Sequence, residues 1–414
     1  MAERADVVVI GGGVVGVSAA HALAERGIRA QLLERGEICS GCSHGNAGWV
    51  FPSHALPIPG PGVLRQALGW LLDPDGPLYI RPRASLSLAR WLWSFLGACN
   101  RAAERRAFAL RRELSLASLV RYRELAELPG LEFDFEQRGI LLVCRSRAEL
   151  AEAEREIGIL REFGGEARRL DANELRERVP ACAEDLAGGV HFSADAHLTP
   201  QRFVHGLASE AQRLGVRLRT GTEVLRLERS GARLRLATTR GEIEAEQVVV
   251  ATGAWSPELA GQLGLRVPVE GAKGYSVTRE RPTDFPEQPL LLAEAKVAIT
   301  PMGRTLRFGG TLELAGRDLG VSWRRLRAIL RAVSEYLPGL PETPTLEIWR
   351  GLRPLTPDDL PIIGRSRRQP GVVLATGHGM NGLAQGPITG QLVAQLVAGE
   401  PTSLDLGPFS PDRF

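Results

Sequence analysis

The chain has 414 residues, 51 of them basic and 48 acidic, giving a net charge of +3. That length points to about two to three domains, and 44% hydrophobic with 24% charged residues excludes a disordered or fibrous chain. Charge this balanced and interleaved makes no case for nucleic acid as a partner.

Residues 6–10 are a continuous run rich in valine and isoleucine, the mark of a strand buried on both faces. Residues 11–16 form a glycine-rich turn, residues 14–26 an alanine-rich helix ending at Gly27, and residues 30–33 a second strand, a βαβ unit. In Gly11-x-Gly13-x-x-Gly16 the first glycine permits a tight turn, the second lets backbone approach a pyrophosphate, and the third allows close helix–strand contact. The helix N-terminus offers free N–H groups to phosphate oxygens. Glu34 ends the second strand, 18 residues after Gly16, where an acid can accept from ribose hydroxyls. The motif predicts a dinucleotide site without separating FAD from NAD.

Residues 43–62 read as an ordered loop rich in glycine, proline and serine, and residues 85–128 as helix. A strand is expected over 133–143 and a charged helix over 147–163. Thr199 and Pro200 begin another helix, with Thr at N-cap and Pro at N1. Short strands follow at 216–218, 223–228, 233–238 and 243–251, a strand-rich stretch spans 267–311, and a helix spans 323–337. Strands at 346–350 and 372–375 precede a final helix over 383–397. Strand–turn–helix patterns at both ends and near residue 250 suggest an α/β nucleotide domain assembled from separated segments, with a second domain inserted. Small-residue turns after 248–251 and in VVLATGHGMNG (372–382) supply further backbone donors, which a cofactor as long as FAD needs.

Five cysteines, Cys39, Cys42, Cys99, Cys144 and Cys182, do not make a disulfide framework. Cys39 and Cys42 form a CxxC with no second pair or histidine to complete a metal site, so no metal is expected; a loop beside the cofactor is the plainer reading and a redox pair the other. His44, His54, His191, His197 and His205 show no ligand spacing. Asp358-Asp359, after Pro357, reads as a turn former rather than an acid–base pair. Trp91, Trp93 and Phe95 read as core, with a membrane-facing patch as the other reading. The start has an acid on each side of Arg4 and no signal-peptide pattern, and no uncharged apolar run of about 18 residues occurs. The expectation is a reduced, cytoplasmic protein, with peripheral contact at the inner face of the cell membrane left open.

GGGVVGVSAAHAL with LLERG, GNAGWVFPSHALPIPGPG, VEGAKGYSVT, KVAITPMGRTLRFGGTLEL, GLRPLTPDDLPIIG and ATGHGMNGLAQGPITGQL are similar in content and order to segments of one family. Along nearly its whole length the chain resembles the D-amino-acid oxidase-like FAD-dependent oxidoreductase superfamily, and within it the bacterial D-amino-acid dehydrogenases. The resemblance implies a Rossmann-type FAD-binding domain assembled from segments 1–85, 145–265 and 350–414, plus an antiparallel-sheet α+β substrate domain from 86–144 and 266–349. It implies non-covalent FAD and oxidative deamination of a small D-amino acid, with hydride passing from Cα to flavin N5 and the imino acid hydrolysing to a keto acid and ammonia. Electrons would pass to a quinone or other carrier. The stretch GHGMNGLAQGP is closer to glycine oxidases and hydroxyproline-type dehydrogenases, which keeps an oxygen-using oxidase of glycine, sarcosine or D-amino acids as an alternative. A flavin subunit of a hetero-oligomeric electron-transfer complex is a third reading.

By the same resemblance Gly11, Gly13, Gly16, Glu34 and Arg35 hold the AMP half, with Val224 at the adenine end, and Val14, Val15 and Ser43 are further cofactor-binding residues. Asn46, Ala47 and Gly48 lie near the isoalloxazine ring. Thr252 and Gly253 contribute a turn, and Gly379, Met380, Asn381, Gly382 and Leu383 cap the ring's pyrimidine side and ribityl chain. Arg353, in GLRP, pairs with the substrate carboxylate, and Tyr275 and His378 are further pocket residues.

Overall fold

The structure is a computed structural model that describes residues 3–73 and 75–414; Met1, Ala2 and Pro74, which fall in the expected segment 1–85, lie outside the described residues. The elements that position the site are β1 (Glu3–Ile10), α1 (Val14–Glu25), β2 (Ala30–Leu33), α2 (Val63–Leu72), α3 (Leu86–Ala98), α4 (Arg101–Ala126), β3 (Gly241–Val250), β4 (Glu270–Glu280), β5 (Thr305–Leu314), β6 (Thr345–Leu355), β7 (Val372–Thr376) and α5 (Gly382–Ala398).

The valines of β1 are buried because a parallel neighbour pairs on each side, β2 on one and β3 on the other. β3 pairs in parallel with β7, so four strands that end in glycine turns lie side by side or nearly so, with their carboxyl ends at one edge. The rest of this eight-stranded sheet is Arg217–Arg219 beside β2, the hairpin Val224–Ser230/Arg233–Thr238 beside β3, and Ile362–Arg365 beside β7. α1 and α5 cover one face in close contact. Side-chain-free Gly386 and Gly390 make this possible: a Cβ on Gly390 would run into the backbone of Ser18, and one on Gly386 into Val14.

A second, mostly antiparallel sheet of nine strands runs β6, β4, β5, Val297–Met302, Leu290–Leu292, Ile140–Cys144, Gly188–Phe192, Arg168–Leu170, with Leu78–Ile80 beside β5. The helix Trp323–Tyr336 buries Leu326, Ile329 and Val333 against it. The molecule is thus a mixed α/β protein built on two sheets.

Several expected extents change. The expected helix 85–128 is two helices, because Asn100 caps α4, accepting from the Ala103 amide at 3.0 Å. The expected strand 133–143 shortens to Ile140–Cys144, since Asp134 and Gly139 take left-handed backbone (φ 53° and 79°) and break the extended run. Thr199 precedes the helix Pro200–Arg213 as expected, but its hydroxyl donates to Asp134 Oδ2 at 2.6 Å instead of capping the helix. Segment 145–265 also divides differently: Gly188–Phe192 pairs antiparallel with Ile140–Cys144 and carries Arg168–Leu170 with it into the second sheet. Leu78–Ile80 joins that sheet too, and a boundary at residue 350 would cut β6 in two.

One buried ion pair ties the layers together. Arg111 of α4 and Asp359, both almost fully buried, bond to each other, and Asp359 Oδ2 also accepts from the Ile58 amide at 2.9 Å. Asp358 binds Arg413 instead, so the two acids face different partners, as structural turn residues do. Removing one partner leaves an uncompensated buried charge, which costs about 3–5 kcal/mol. Arg111→Ala and Asp359→Ala are each expected to lower the urea midpoint by that equivalent, whereas the double Arg111→Met/Asp359→Leu variant recovers part of the loss; single variants that melt like the natural protein would show the pair to be inert.

Candidate functional site

The turn after β1 is shaped to admit a ligand backbone-first. Gly11 sits at φ +116°, and a Cβ there would collide with the Ala251 carbonyl; a Cβ on Gly16 would collide with the Gly11 carbonyl. Gly16 therefore packs the helix onto the turn and does not itself line the cavity. The amides of Gly13 and Val15 find no acceptor among the described residues, while the Val14 amide donates to Ser43 Oγ at 3.0 Å. Free amides at the positive end of α1 form an anion site. Glu34 accepts from Gly12 N at 2.7 Å and Gly36 N at 2.8 Å, which fixes its carboxylate at the end of β2 with lone pairs to spare. Arg35 stacks over Trp255, 3.9 Å from the ring centroid. Val224, Thr252 and Gly253 complete this end, with Thr252 Oγ1 3.1 Å from Ser256 Oγ, which lies 2.7 Å from Thr376 Oγ1.

From there one continuous cavity of ≈ 1410 Å³ runs between the sheets. That exceeds the ~300–1,000 Å³ of an ordinary ligand pocket, leaving room for an extended cofactor and a small substrate together. Loop 43–48 forms one wall. Asn46 Oδ1 accepts from Gly48 N at 2.8 Å, and buried Arg307 donates to the carbonyls of His44 (2.6 Å) and Asn46 (3.0 Å). Asn46 and Ala47 line the cavity; Gly48 (φ +79°) stands behind them, close against the Leu198 carbonyl. The turn after β7 forms the opposite wall through His378, Gly379, Met380, Gly382 and Leu383, whereas Asn381 is buried behind it. His378 Nε2 lies 2.9 Å from Thr389 Oγ1, and burial pushes its pKa down to about 3, so it is a neutral ring at working pH.

Arg353 projects from β6 into the same cavity. Its Nη1 donates to the Thr311 carbonyl at 2.7 Å, and its guanidinium lies over Gly274, where a Cβ would occupy the same space. Thr311 has left-handed backbone (φ 68°) at an irregularity where the β4–β5 register shifts, and this turns its carbonyl toward Arg353. No carboxylate lies within 4.0 Å of Arg353 among the described residues, and burial depresses its pKa without a countercharge. Cys42 acts on it electrostatically, but burial raises the Cys42 thiol pKa, so the thiol is neutral.

Tyr275 does not line this cavity. Successive strand residues point to opposite faces; Gly274 faces Arg353, so Tyr275 points the other way. Its hydroxyl donates to Glu313 Oε2 at 2.9 Å and accepts from the Ser322 amide at 3.1 Å. Three further lining residues were not among the expected site residues. Trp349 folds its indole over Gly45 and Gly351 beside Arg353, Thr311 orients the arginine, and Cys42 closes the wall. Trp349 was within reach of the sequence, standing four residues before Arg353 on an alternating strand, and Cys42 stood in the CxxC already noted.

A polar cluster also borders the cavity. His54 Nδ1 lies 2.6 Å from buried Glu156 Oε1, and Ser53 N donates to Asp195 Oδ1 at 2.9 Å. Burial raises the Asp195 pKa to about 7, with the Ser53 amide and His54 acting the other way. Between about pH 4 and 7 the native chain therefore keeps a proton that the unfolded chain releases, so this group's contribution to stability falls as pH rises through about 7. Asp195→Asn is expected to raise Tm more at about pH 8 than at about pH 5; a change equal at both would mean Asp195 ionises normally. No group of three or more His, Cys, Asp or Glu suited to a metal occurs among the described residues.

The model of a family described as FAD dependent oxidoreductase (DAO) matches residues 6–396. A D-amino acid dehydrogenase of Cereibacter sphaeroides is 35% identical over 99% of this chain and 95% of its own length. A D-amino-acid oxidase of Bradyrhizobium diazoefficiens is 34% identical over all of both chains. Among solved structures, glycine oxidase from Geobacillus kaustophilus superposes with a TM-score of 0.82 at 27% identity, covering 100% of this chain and 99% of that one.

Proposed function

Because the chain belongs to the family of FAD dependent oxidoreductases, we propose that it oxidises a small D-amino acid at its Cα–N bond and passes the electrons to a quinone or other carrier. The residues fit the cofactor: a side-chain-free turn at Gly11–Gly13, unpaired amides at Gly13 and Val15, and an acid at Glu34 suit a pyrophosphate and ribose. Ser43, Arg35 and Val224 flank that half; Asn46, Ala47, Gly379, Met380, Gly382 and Leu383 enclose the space for the ring and ribityl chain. When bound, FAD supplies the two-electron acceptor for the substrate's Cα–H bond.

The observation that carries this reading is Arg353, a guanidinium aimed into the cavity with no carboxylate beside it among the described residues. Its free donors grip a substrate carboxylate in a two-pronged hydrogen bond and so fix which face of Cα points inward. The Trp349 indole beside it restricts the space for the substrate's side chain. The neutral His378 ring and Cys42 thiol add no charge that would compete for the carboxylate. No acid–base side chain is required: the substrate amine loses its proton to solvent, and the imino product is hydrolysed to keto acid and ammonia after release.

The test is reduction of the purified yellow protein without oxygen by a panel of D- and L-amino acids. Bleaching by small D-amino acids supports the reading, and bleaching by none of them overturns it. Peroxide formed in air in step with turnover would assign the electrons to oxygen and make the protein an oxidase.

A further inference from the structure

α3 is apolar on two sides. Leu88, Trp91 and Phe95 form an inward stripe, and the Trp91 indole donates to the Leu355 carbonyl at 3.1 Å. Leu86, Trp93 and Leu96 form a second, outward stripe, spaced seven and three residues apart: they are 77%, 78% and 44% exposed, and Leu96 borders the large cavity. α2 repeats the pattern, with Leu64, Leu68 and Leu71 spaced four and three apart and 47%, 64% and 40% exposed. Six of the 15 large hydrophobics exposed among the described residues therefore come from this one segment. A helix that is apolar all round is ordinarily buried in protein or lipid.

The same segment is basic. Residues 63–106 hold seven arginines and three acids, a net charge of +4 in a chain whose total is +3. Asp75 and Glu104 are already engaged, by Arg324 and Arg331 and by Arg155 respectively. Arg65, Arg90, Arg101 and Arg106 are exposed and have no carboxylate within 4.0 Å among the described residues. Leucine and tryptophan on an exposed helical face, bordered by free arginines, match the chemistry of an anionic lipid surface. No helix among the described residues is long and apolar enough to cross a membrane, so contact would be with the surface.

We propose that the outward faces of α2 and α3 dock on an anionic bilayer, with Leu86, Trp93 and Leu68 entering the interface and the arginines meeting the headgroups. Leu64, Leu68 and Leu71 also line the edge of the large cavity. Docking turns that edge toward the acyl chains, the route by which a lipid-dissolved electron acceptor would enter; that last step alone rests on the function proposed above, and the docking itself does not.

The flavin-loaded full chain is sedimented with phosphatidylcholine vesicles and with vesicles of equal parts phosphatidylcholine and phosphatidylglycerol. Binding to the anionic vesicles only, weakened by salt, is expected. The Leu86→Glu/Trp93→Glu variant, altered at two positions outside the cavity, is expected to bind at least about tenfold more weakly while keeping its flavin and its turnover with a water-soluble acceptor. Equal binding by the variant, or no binding to anionic vesicles, overturns the proposal. So does a concentration-dependent dimer that the same variant dissolves, because a second copy would then cover this face.

Discussion

Arg353→Ala is expected to lower kcat/KM for the amino acid about a hundredfold or more, mostly through KM, while the flavin spectrum and melting temperature stay close to those of the natural protein. A charge-assisted, two-pronged bond to a carboxylate in a water-poor cavity is worth about 2–5 kcal/mol when one partner is removed. Its contacts explain the selectivity of the effect. Among the described residues Arg353 spends one donor, on the Thr311 carbonyl, and supports no ion pair, so its loss leaves no buried carboxylate of theirs stranded. Arg353→Lys keeps the charge but not the planar fork and is expected to fall between the two. Steady-state kinetics on the best substrate decides: unchanged kcat/KM in the alanine variant would remove Arg353 from the site.

Gly11→Ala and Gly16→Ala are expected to yield largely colourless protein. At position 11 the new methyl group must sit at φ +116° against the Ala251 carbonyl; at position 16 it must displace the Gly11 carbonyl. Strained backbone and overpacking each cost on the order of 1–3 kcal/mol, and the displaced atoms belong to the turn meant to receive the pyrophosphate. Flavin content per protein, from the ratio of visible to ultraviolet absorbance, is expected to drop on the order of tenfold or more. Full flavin loading in both variants would show that the turn yields more readily than its packing implies.

The parts legible in the sequence are those written in local pattern. A run of valines before Gly-x-Gly-x-x-Gly and an acid at the end of the next strand specify a βαβ unit from a few dozen residues, and β1, α1 and β2 follow it closely. The parts that were hidden depend on pairing across distance. Nothing near residue 188 announces that Gly188–Phe192 will join the second sheet, because that choice is made by Ile140–Cys144. Tyr275 shows the same limit at the scale of one residue. Along the buried stretch 271–278 of β4 there is no polar alternation to tell one face from the other, so only the partner strands reveal that Gly274, not Tyr275, faces the arginine. The Arg111–Asp359 pair joins positions 248 apart and leaves no local trace.

The sheet that presents the glycine turns takes strands from both extremes of the chain. β1 is made well before β7 and α5, whose turn closes the opposite wall: they follow only after about 360 further residues, on the order of tens of seconds at ~5–20 residues per second. For that interval α1 has no α5 to pack against and its apolar face is open to water or to a chaperone. Colour therefore develops only after α5 has been made, and the supply of cofactor at that moment helps decide whether a newly made chain matures or is degraded.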